Sequence, residues 1–390
     1  MFGAMVAAAA LAPMESAGQQ GPSISLGGTT IAPPPEVERA PVVLLVDLGT
    51  GQTLYEKNAD RRFMPASVTK TMTAYTAFEM IGRGEIDLRQ PFTMDEETFR
   101  AWRRRGSTMF LGLGERVTVA DLLHGILTIS ANDGSALLAR GAAGSIENWT
   151  ARMNAEARKI GMRDSAFGSP NGFPDEGRTY TSARDLIALA QAIVTRHPKK
   201  YAAFFGKPTL EWNGIEQDNH DPMIGKIRGA DGFKTGFTHE AGYTYLGSAE
   251  RDGRRLAVAI AGAESSRDRD ALARAMIEWG FSAWQPRRLF ADGAEVARAK
   301  VQQGAASSVG LEAPRDYHLD VPTGSRGDID LRVAYRGPLV APIKAGETVA
   351  RLQIRVDGEL VQSAPLVAAK DVAQAGTIDR LENGLLGWLR

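Results

Sequence analysis

One apolar segment that carries a serine and a lysine constrains the fold of this chain more than any other stretch. It reads MPASVTKTMTAY from Met64 to Tyr75, and helical spacing puts Ser67 and Lys70 on one face. The apolar residues around the pair predict a helix buried inside a domain, where desolvation lowers the pKa of an amine until it can take a serine proton. An ordinary buried helix start is the alternative, because Ser-x-x-Lys also arises by chance.

Length and composition limit what this helix can belong to. With 390 residues, the chain exceeds one typical hydrophobic core, which predicts two domains. The formal net charge of +0 gives no indication of a nucleic-acid partner. The absence of cysteine excludes disulfides and cysteine-ligated metals, and it fits an exported bacterial protein. The five histidines lack metal-ligand spacing, so we assign them structural or surface roles and expect no metal and no cofactor.

Residues 1–40 are predicted to precede the folded domains. Residues 1–18 begin with the apolar run MFGAMVAAAALAPM, which has the length of a signal-peptide core and is too short to span a bilayer. Because no Lys or Arg precedes this run, we interpret it as a truncated secretory signal. Residues 19–40 contain Gly27-Gly28 and consecutive prolines, which predict a flexible lead-in.

Turn and capping residues divide the next stretch into strands and helices. The β-like runs at 42–46 and 52–55 predict a hairpin that leads into the Ser67 helix. Residues 86–117 carry turn signals and a basic patch at 103–107, which we interpret as a solvated face. Capping signals predict three further helices: Thr118 to Leu127, Ser145 to Ile160 and Thr181 to Val194.

A short polar connector follows the first of these three helices. Ser130 and Asn132 lie on it, and Asp133 with Gly134 is predicted to break the helical pattern. A connector between two apolar helices can direct polar side chains into a cleft. Helix capping alone explains Ser and Asn here equally well.

A further candidate site lies on a predicted strand near the middle of the chain. Lys234, Thr235 and Gly236 precede two antiparallel strand candidates, 243–249 and 256–261, which a hairpin turn joins. A cation, a hydroxyl and a glycine that lets a substrate backbone approach make a strand edge that faces an anion. A lysine on a surface strand next to a bend is the common alternative.

These candidates form three motifs in a fixed order: Ser67-x-x-Lys70, Ser130-x-Asn132 and Lys234-Thr235-Gly236. With this order the chain resembles the penicillin-recognising serine acyltransferases, most closely the low-molecular-mass D-alanyl-D-alanine carboxypeptidases. The resemblance runs from about Pro41 to the C-terminus. It implies an α/β (α+β) penicillin-binding, β-lactamase-like domain at 41–285, with an antiparallel sheet and a helical cluster, followed by a small all-β sandwich at 286–368.

The resemblance implies a role for each catalytic residue. Ser67 attacks the carbonyl of the D-Ala-D-Ala peptide bond, and Lys70 takes its proton. Ser130 relays a proton toward the leaving D-alanine, with Lys234 close by to hold the local charge. The implied substrate-binding positions are Asn132, Lys234, Thr235, Gly236, Phe237 and Arg269.

The substrate-binding positions divide by the part of the substrate they contact. Asn132 matches a position that hydrogen-bonds the peptide side, whereas Thr235 and Arg269 match positions that hold the terminal carboxylate. The backbone N–H groups of Ser67 and Phe237 would form the oxyanion hole. Relatives often carry His where this chain has Phe237, so we assign no catalytic histidine.

The implied substrates are peptidoglycan stem peptides that end in D-Ala-D-Ala, and β-lactam antibiotics would acylate the same serine. A noncatalytic penicillin-binding scaffold is the alternative from another class of function, although every polar group of the reaction is present. A β-lactamase and a D,D-endopeptidase are the alternatives among enzymes. A β-lactamase needs a carboxylate for its deacylating water, and no Glu-x-x-x-Asn segment between Gly161 and Thr181 supplies it, although Asp175 and Glu176 keep that question open.

The last quarter of the chain carries a different pattern. Short β-like runs dominate 286–368, where no nucleophile or metal cluster stands out, so we predict a spacer or partner-binding domain. Residues 369–390 are predicted as an amphipathic tail, with the apolar residues of its last stretch at helical spacing: Ile378, Leu381, Leu385, Trp388 and Leu389. We expect this tail to attach a periplasmic protein weakly to the inner-membrane surface, as in relatives of similar layout. A last helix packed on the β-domain is the alternative.

Overall fold

The computed structural model describes residues 24–26 and 28–376. The signal peptide predicted at 1–18 and the apolar stripe predicted at 377–390 lie outside these residues. The helices are α1 (Thr69–Gly82), α2 (Glu96–Trp102), α3 (Val119–Thr128), α4 (Asn132–Ala143), α5 (Ile146–Lys159), α6 (Ala183–Arg196), α7 (Pro198–Phe204) and α8 (Ser266–Ser282). The strands are β1 (Ile24–Leu26), β2 (Thr29–Ile31), β3 (Val42–Asp47), β4 (Thr53–Lys57), β5 (Pro91–Thr93), β6 (Arg116–Thr118), β7 (Thr209–Trp212), β8 (Ile215–Asp218), β9 (Ala230–Thr238), β10 (Gly242–Arg251), β11 (Arg254–Ala263), β12 (Trp284–Phe290), β13 (Glu295–Gln302), β14 (Ser308–Glu312), β15 (Tyr317–Pro322), β16 (Ile329–Ala334), β17 (Leu339–Val340), β18 (Thr348–Val356) and β19 (Glu359–Ala368).

A five-stranded antiparallel sheet in the order β4-β3-β11-β10-β9 supports the N-terminal part of the fold. Side chains alternate between its two faces. Val42, Leu44 and Val46 of β3 pack with the helical cluster, whereas Val43 and Leu45 face the core that includes residues of α8. Because both faces are covered, β3 reads as an unbroken apolar run. The predicted hairpins β3-β4 and β10-β11 are confirmed.

Helix α1 runs through the core of the helical cluster. Its residues from Thr69 to Phe78 are all buried, as expected for a helix that is apolar or small on every side. Two buried hydroxyls find acceptors, because Thr73 Oγ1 donates to the backbone oxygen of Pro170 at 2.6 Å and Thr76 Oγ1 donates to that of Met72 at 2.9 Å. A helix held from all sides is a rigid support for the residues at its N-terminal end.

The predicted helix caps are confirmed. The side chains of Thr118, Ser145 and Ser182 each accept the backbone N–H three residues on, at the starts of α3, α5 and α6. None of the helices in the described part of the chain combines the length and the apolar character needed to cross a bilayer.

The C-terminal part is all β, in agreement with the fold class expected from the sequence. Six strands form one sheet in the order β16-β18-β19-β14-β13-β17, and β12 pairs with β15. Strands β18 and β19 form a hairpin with Asp357-Gly358 at its turn, because Val356 pairs with Glu359. Strand β12 begins at Trp284, so the proposed boundary at 286 falls inside a strand.

A buried charged network joins the two parts of the molecule. Arg254 on β11 donates through Nε to Asp47 Oδ2 and through Nη2 to Asp320 Oδ1 on β15, both at 2.7 Å. Asp320 also accepts from Thr50 Oγ1 at 2.8 Å, and its backbone exchanges two hydrogen bonds with the Gln52 side chain. Burial, and after it the charge of the neighbouring Asp47, together raise the pKa of Asp320 to about 6 against the lowering effect of Arg254. The buried carboxylates of Asp47 and Asp320 are therefore paired with the same guanidinium, that of Arg254.

Two features of the helical part differ from the sequence prediction. Helix α2 lies in the region interpreted as turns, and Asp95 caps it by accepting the N–H of Thr98. Asp133 and Gly134 were predicted to break a helix, but they lie inside α4. The Asp133 carboxylate accepts the Gly134 N–H at that helix start and the N–H groups of Met109 and Leu111 from the segment before β6.

The two ends of the described chain are more ordered than predicted. In the stretch interpreted as a flexible lead-in, β1 pairs with β2, Val37 is buried, and the Trp279 indole donates to the Ala32 carbonyl. At the other end, Val372 is buried and forms a bridge with Ile343, so the first residues of the predicted tail belong to the β-rich part. In both places apolar burial and backbone pairing fix the chain.

Candidate active site

Ser67 lies in a tight 3-10 turn that runs into α1. The sequence predicted Ser67 in the first turn of the helix itself, whereas α1 begins at Thr69. The turn spans Ala66–Val68. Ala66 has a φ of +48°, a left-handed conformation that is costly for a residue with a Cβ atom. The Pro65 carbonyl accepts a hydrogen bond from Thr244 Oγ1 at 2.9 Å, which ties the turn to β10. The turn is therefore held against the sheet on one side and α1 on the other.

Lys70 is fully buried next to this turn. Its Nζ donates to Ser67 Oγ at 2.9 Å, to Asn132 Oδ1 at 2.8 Å and to the Asn171 backbone oxygen at 2.8 Å. Burial holds the pKa of Lys70 well below its usual value, and the charge of Lys234 lowers it further. A desolvated amine within hydrogen-bond distance of a serine hydroxyl has the geometry of a general base and its nucleophile.

Two glycines let other segments approach the turn. A Cβ atom on Gly172 would lie 1.8 Å from the Ala66 carbonyl oxygen. A Cβ atom on Gly236 would lie 2.4 Å from Thr244 Oγ1 and 2.6 Å from the Pro65 oxygen. The sequence suggested that Gly236 makes room for a substrate. The structure gives a nearer reason, because β9 itself must come close to the Ser67 turn.

Ser130 and Asn132 reach the same cleft from the start of α4. Ser130 has a φ of +66°, lies on the connector before the helix and lines the cleft. Asn132 is the first residue of α4, not part of the connector as predicted. Its Oδ1 accepts from Lys70, and its Nδ2 donates to the Arg105 carbonyl at 3.0 Å. The amide therefore links the lysine to the segment at 103–107.

Positive charge gathers around Lys234. Burial lowers the pKa of Lys234 to about 7, with Asp221 raising it and Arg269 lowering it. Thr235 and Arg269 line the cleft, and the Arg269 guanidinium pairs with Asp270 at 2.6 Å while lying 5.7 Å from the Tyr243 ring centroid. An anionic ligand group would share Arg269 with Asp270.

His220 lines the cleft and was missed as a functional residue by sequence reasoning. Burial lowers the pKa of its imidazole, and the charges of Lys234 and Arg269 lower it further, which favours the neutral ring. The next residue is firmly held, because the Asp221 carboxylate accepts hydrogen bonds from the Met223 N–H and the Tyr245 hydroxyl. No motif marks His220 in the sequence.

The cleft has a volume of about 410 Å³. No Asp or Glu lines it within the described chain. Asp175, a candidate for a deacylating carboxylate, is buried elsewhere against the Thr179 N–H and hydroxyl, and Glu176 is exposed. No cluster of His, Cys, Asp or Glu suited to a metal ion occurs in residues 24–26 and 28–376. The lining residues are Ser67, Gly106, Ser107, Ser130, Asn132, Asn171, Gly172, Phe173, His220, Thr235, Gly236, Phe237, Thr238, Tyr243, Ser266 and Arg269.

The cleft thus gathers the predicted site residues from elements far apart in sequence. Seven of them line it directly, and Lys70 and Lys234 are buried behind it. Phe237 is 45% exposed and stacks on Tyr243, with ring centroids 4.3 Å apart. His239, two residues further on, is exposed and does not line the cleft.

Comparison with known proteins agrees with this architecture. Residues 29–265 match the D-alanyl-D-alanine carboxypeptidase family, peptidase S11, and residues 284–374 match the C-terminal domain of penicillin-binding protein 5. The chain is 30% identical to D-alanyl-D-alanine carboxypeptidase DacA of Haemophilus influenzae, with 90% of each chain covered. It is 31% identical to DacD of Salmonella typhimurium, with 93% of this chain and 94% of the relative covered.

Solved structures give the same result. Penicillin-binding protein 5 from Haemophilus influenzae superposes with a TM-score of 0.79 at 29% identity, covering 88% of this chain and 100% of that one. Penicillin-binding protein D2 from Listeria monocytogenes, in its ampicillin-bound form, superposes with a TM-score of 0.54 at 28% identity, covering 62% of this chain and 97% of that one. The chain belongs to the D-alanyl-D-alanine carboxypeptidase family of serine hydrolases.

Proposed function

We propose that this chain removes the terminal D-alanine from peptidoglycan stem peptides that end in D-Ala-D-Ala, through an acyl-enzyme on Ser67. The observation that carries the proposal is the buried Lys70 amine at 2.9 Å from Ser67 Oγ, beside a cleft that also holds Ser130, Thr235 and Arg269. Membership in the carboxypeptidase family supports the same reaction.

The acylation step uses these groups in order. Lys70 Nζ takes the Ser67 proton as Oγ attacks the carbonyl carbon of the penultimate D-alanine. The N–H groups of Ser67 and Phe237 stabilise the oxyanion. Ser130 passes a proton to the nitrogen of the last D-alanine, the C–N bond breaks, and free D-alanine leaves. Arg269 and Thr235 bind the terminal carboxylate, and Asn132 binds the peptide side.

Hydrolysis of the ester by water then restores Ser67. β-Lactams would acylate the same serine, which the ampicillin-bound Listeria relative supports. A β-lactamase is less well supported, because the described cleft offers no Asp or Glu to activate the deacylating water. A D,D-endopeptidase shares the acylation step and differs only in its leaving group.

The test is incubation with a disaccharide pentapeptide that ends in D-Ala-D-Ala, followed by assay of free D-alanine. The proposal expects stoichiometric release of D-alanine and a tetrapeptide product. Cleavage of cross-linked dimers without D-alanine release would favour an endopeptidase instead. Penicillin labelling with no turnover of either substrate would favour a noncatalytic scaffold.

Arg269 gives a prediction that separates carboxylate binding from a structural role. Arg269→Ala should lower kcat/KM on D-Ala-D-Ala peptides. The corresponding rise in activation free energy should be roughly 1.5 to 3 kcal/mol, the worth of a hydrogen bond to a charged group. A substrate amidated at its C-terminus should be affected far less. The matched control is Arg267→Ala, because Arg267 is an exposed arginine on the same helix. Equal losses on both substrates would contradict carboxylate binding.

We also propose that the protein works in the periplasm, since its substrate class lies there. The C-terminal stretch 377–390 lies outside the described residues, and its apolar stripe supports weak attachment to the inner-membrane surface. The C-terminal β-rich part would then act as a spacer between membrane and wall.

Deletion of residues 377–390 tests this attachment. The shortened protein should move from the membrane pellet to the soluble fraction while its turnover of a small soluble peptide stays unchanged, because the cleft lies in the described part of the chain. Sedimentation followed by D-alanine assay measures both. A shortened protein that unfolds, or that still pellets, would favour a last helix packed on the β-rich part.

A further inference from the structure

A run of three arginines separates the cleft from a second cavity. Gly106 and Ser107, which follow the run, line the cleft. Arg103 and Arg104 line a neighbouring cavity of about 230 Å³, together with Phe99 and other residues. The segment from Arg103 to Arg105 is named here the arginine wall. Arg103 and Arg104 line only the second cavity, and the wall meets the cleft through Gly106, Ser107 and the contact of Arg105 with Phe173.

The arginine wall carries charge that the described protein does not neutralise. Within residues 24–26 and 28–376, no carboxylate pairs with Arg103, Arg104 or Arg105 at the 4.0 Å limit for an ion pair. By contrast, Arg100 and Arg140 nearby pair with Glu96 and Glu97. Unpaired arginines grouped next to a cleft produce a local positive potential in a chain whose formal net charge is +0.

Aromatic rings hold two of these side chains in place. The Arg105 guanidinium lies 4.3 Å from the centroid of Phe173, a residue that lines the cleft, and 5.4 Å from that of Trp102. The Arg103 guanidinium lies 5.5 Å from the Phe99 centroid. A guanidinium stacked on a ring still presents its N–H edge to a ligand. The stacking therefore positions the arginines without using their donors.

The backbone of the wall is fixed to the candidate active site. The Arg105 carbonyl accepts from Asn132 Nδ2 at 3.0 Å, and the Ser107 carbonyl accepts from the Asn132 N–H at 2.8 Å. A Cβ atom on Gly106 would lie 2.7 Å from Asn132 Nδ2, so this position needs glycine for a close approach. Asn132 also accepts from Lys70 Nζ at 2.8 Å, so one side chain links the backbone of the wall to the catalytic lysine.

We propose that the arginine wall is an accessory subsite for the carboxylates that a stem peptide carries upstream of its D-Ala-D-Ala end. This inference rests on the proposed function. The free α-carboxylate of a γ-linked glutamyl residue and the side-chain carboxylate of a diamino diacid before D-Ala-D-Ala are groups that guanidinium binds through paired hydrogen bonds. The wall therefore adds selectivity for stem peptides whose upstream carboxylates are free over stem peptides in which they are amidated.

The experiment compares two pentapeptides that share the D-Ala-D-Ala end. One has free carboxylates on its second and third residues, and the other has both as amides. D-Alanine release gives kcat/KM for the full chain, for Arg103→Gln/Arg104→Gln and for the control Arg287→Gln/Arg336→Gln. The control removes the same charge from exposed, unpaired arginines in the described C-terminal part.

The ratio of kcat/KM between the free and amidated peptides should fall about threefold to tenfold in the Arg103→Gln/Arg104→Gln variant, as expected for two exposed charge contacts. The control should keep the ratio of the unmodified chain. Raising NaCl from about 50 mM to about 500 mM should lower that ratio in the unmodified chain and change it little in the variant.

Three outcomes would overturn the inference. An unchanged ratio in the double variant, with D-alanine released from both peptides, refutes the subsite and leaves the proposed function standing. Release from neither peptide by the unmodified chain refutes the proposed function itself. Loss of binding to phosphatidylglycerol vesicles in the double variant, with an unchanged peptide ratio, would assign the arginines to a lipid surface.

Discussion

Ser67→Ala should abolish covalent labelling by a fluorescent penicillin and leave the fold unchanged. The hydroxyl sits in the cleft and accepts from Lys70, so its removal takes away the nucleophile but no buried apolar contact. Gel fluorescence measures the labelling, and circular dichroism measures the fold. Ser266→Ala is the matched control, because it removes another hydroxyl that lines the cleft. A labelled Ser67→Ala protein would place the nucleophile elsewhere.

The second prediction concerns Lys70 and the rate of acylation. Lys70→Met fills the buried space without an amine and should slow acylation by about 10² to 10⁴, the usual worth of a general base. Because the pKa of Lys70 lies well below its usual value, the acylation rate of the unmodified protein should fall, as the amine takes up a proton, at a pH below the normal range of a lysine pKa. An acylation rate that stays low until the pH reaches the normal range of a lysine pKa would contradict the assignment of Lys70 as the base.

Local sequence signals were sufficient to predict much of this fold. Caps at Thr118, Ser145 and Ser182 marked helix starts, because a side-chain oxygen three residues before an N–H is a local interaction. The apolar run from Val42 to Val46 indicated a strand of a hairpin, and the structure covers this strand on both faces.

The parts that were missed depend on contacts between distant residues. His220 reaches the cleft through the placement of the β7-β8 hairpin, and Gly172 is needed because of the Ala66 carbonyl, more than a hundred residues earlier. Asn132 contacts Lys70 across 62 positions. The arginine wall was interpreted as a solvated face, and its three arginines are exposed as predicted, but a sequence does not reveal which arginines lack carboxylate partners. Such contacts are set by tertiary packing, which local patterns do not encode.

Arg254→Met should be among the most destabilising single changes outside the cleft. The guanidinium is shared by the buried carboxylates of Asp47 and Asp320, and it also donates to the backbone oxygens of Gly280 and Trp284. Its removal leaves two uncompensated buried charges, a loss of about 3 to 5 kcal/mol in the free energy of unfolding. Urea denaturation at pH 7 measures the loss. Arg287→Gln, an exposed arginine on β12, should change stability by less than about 0.5 kcal/mol.

Neutralising the carboxylates should reverse much of that loss. The triple variant Arg254→Met/Asp47→Asn/Asp320→Asn should be markedly more stable than Arg254→Met alone, because no buried charge is left without a partner. The pKa of Asp320, raised to about 6 in the folded protein, gives an independent readout. Since the folded protein holds this proton more tightly than the unfolded chain does, the stabilising contribution of the protonated group is present below about pH 4 and is lost as pH rises through about 6. The unmodified protein should therefore lose stability relative to Asp320→Asn between about pH 4 and pH 7. A constant difference in stability over that range would show that folding does not raise the pKa of Asp320.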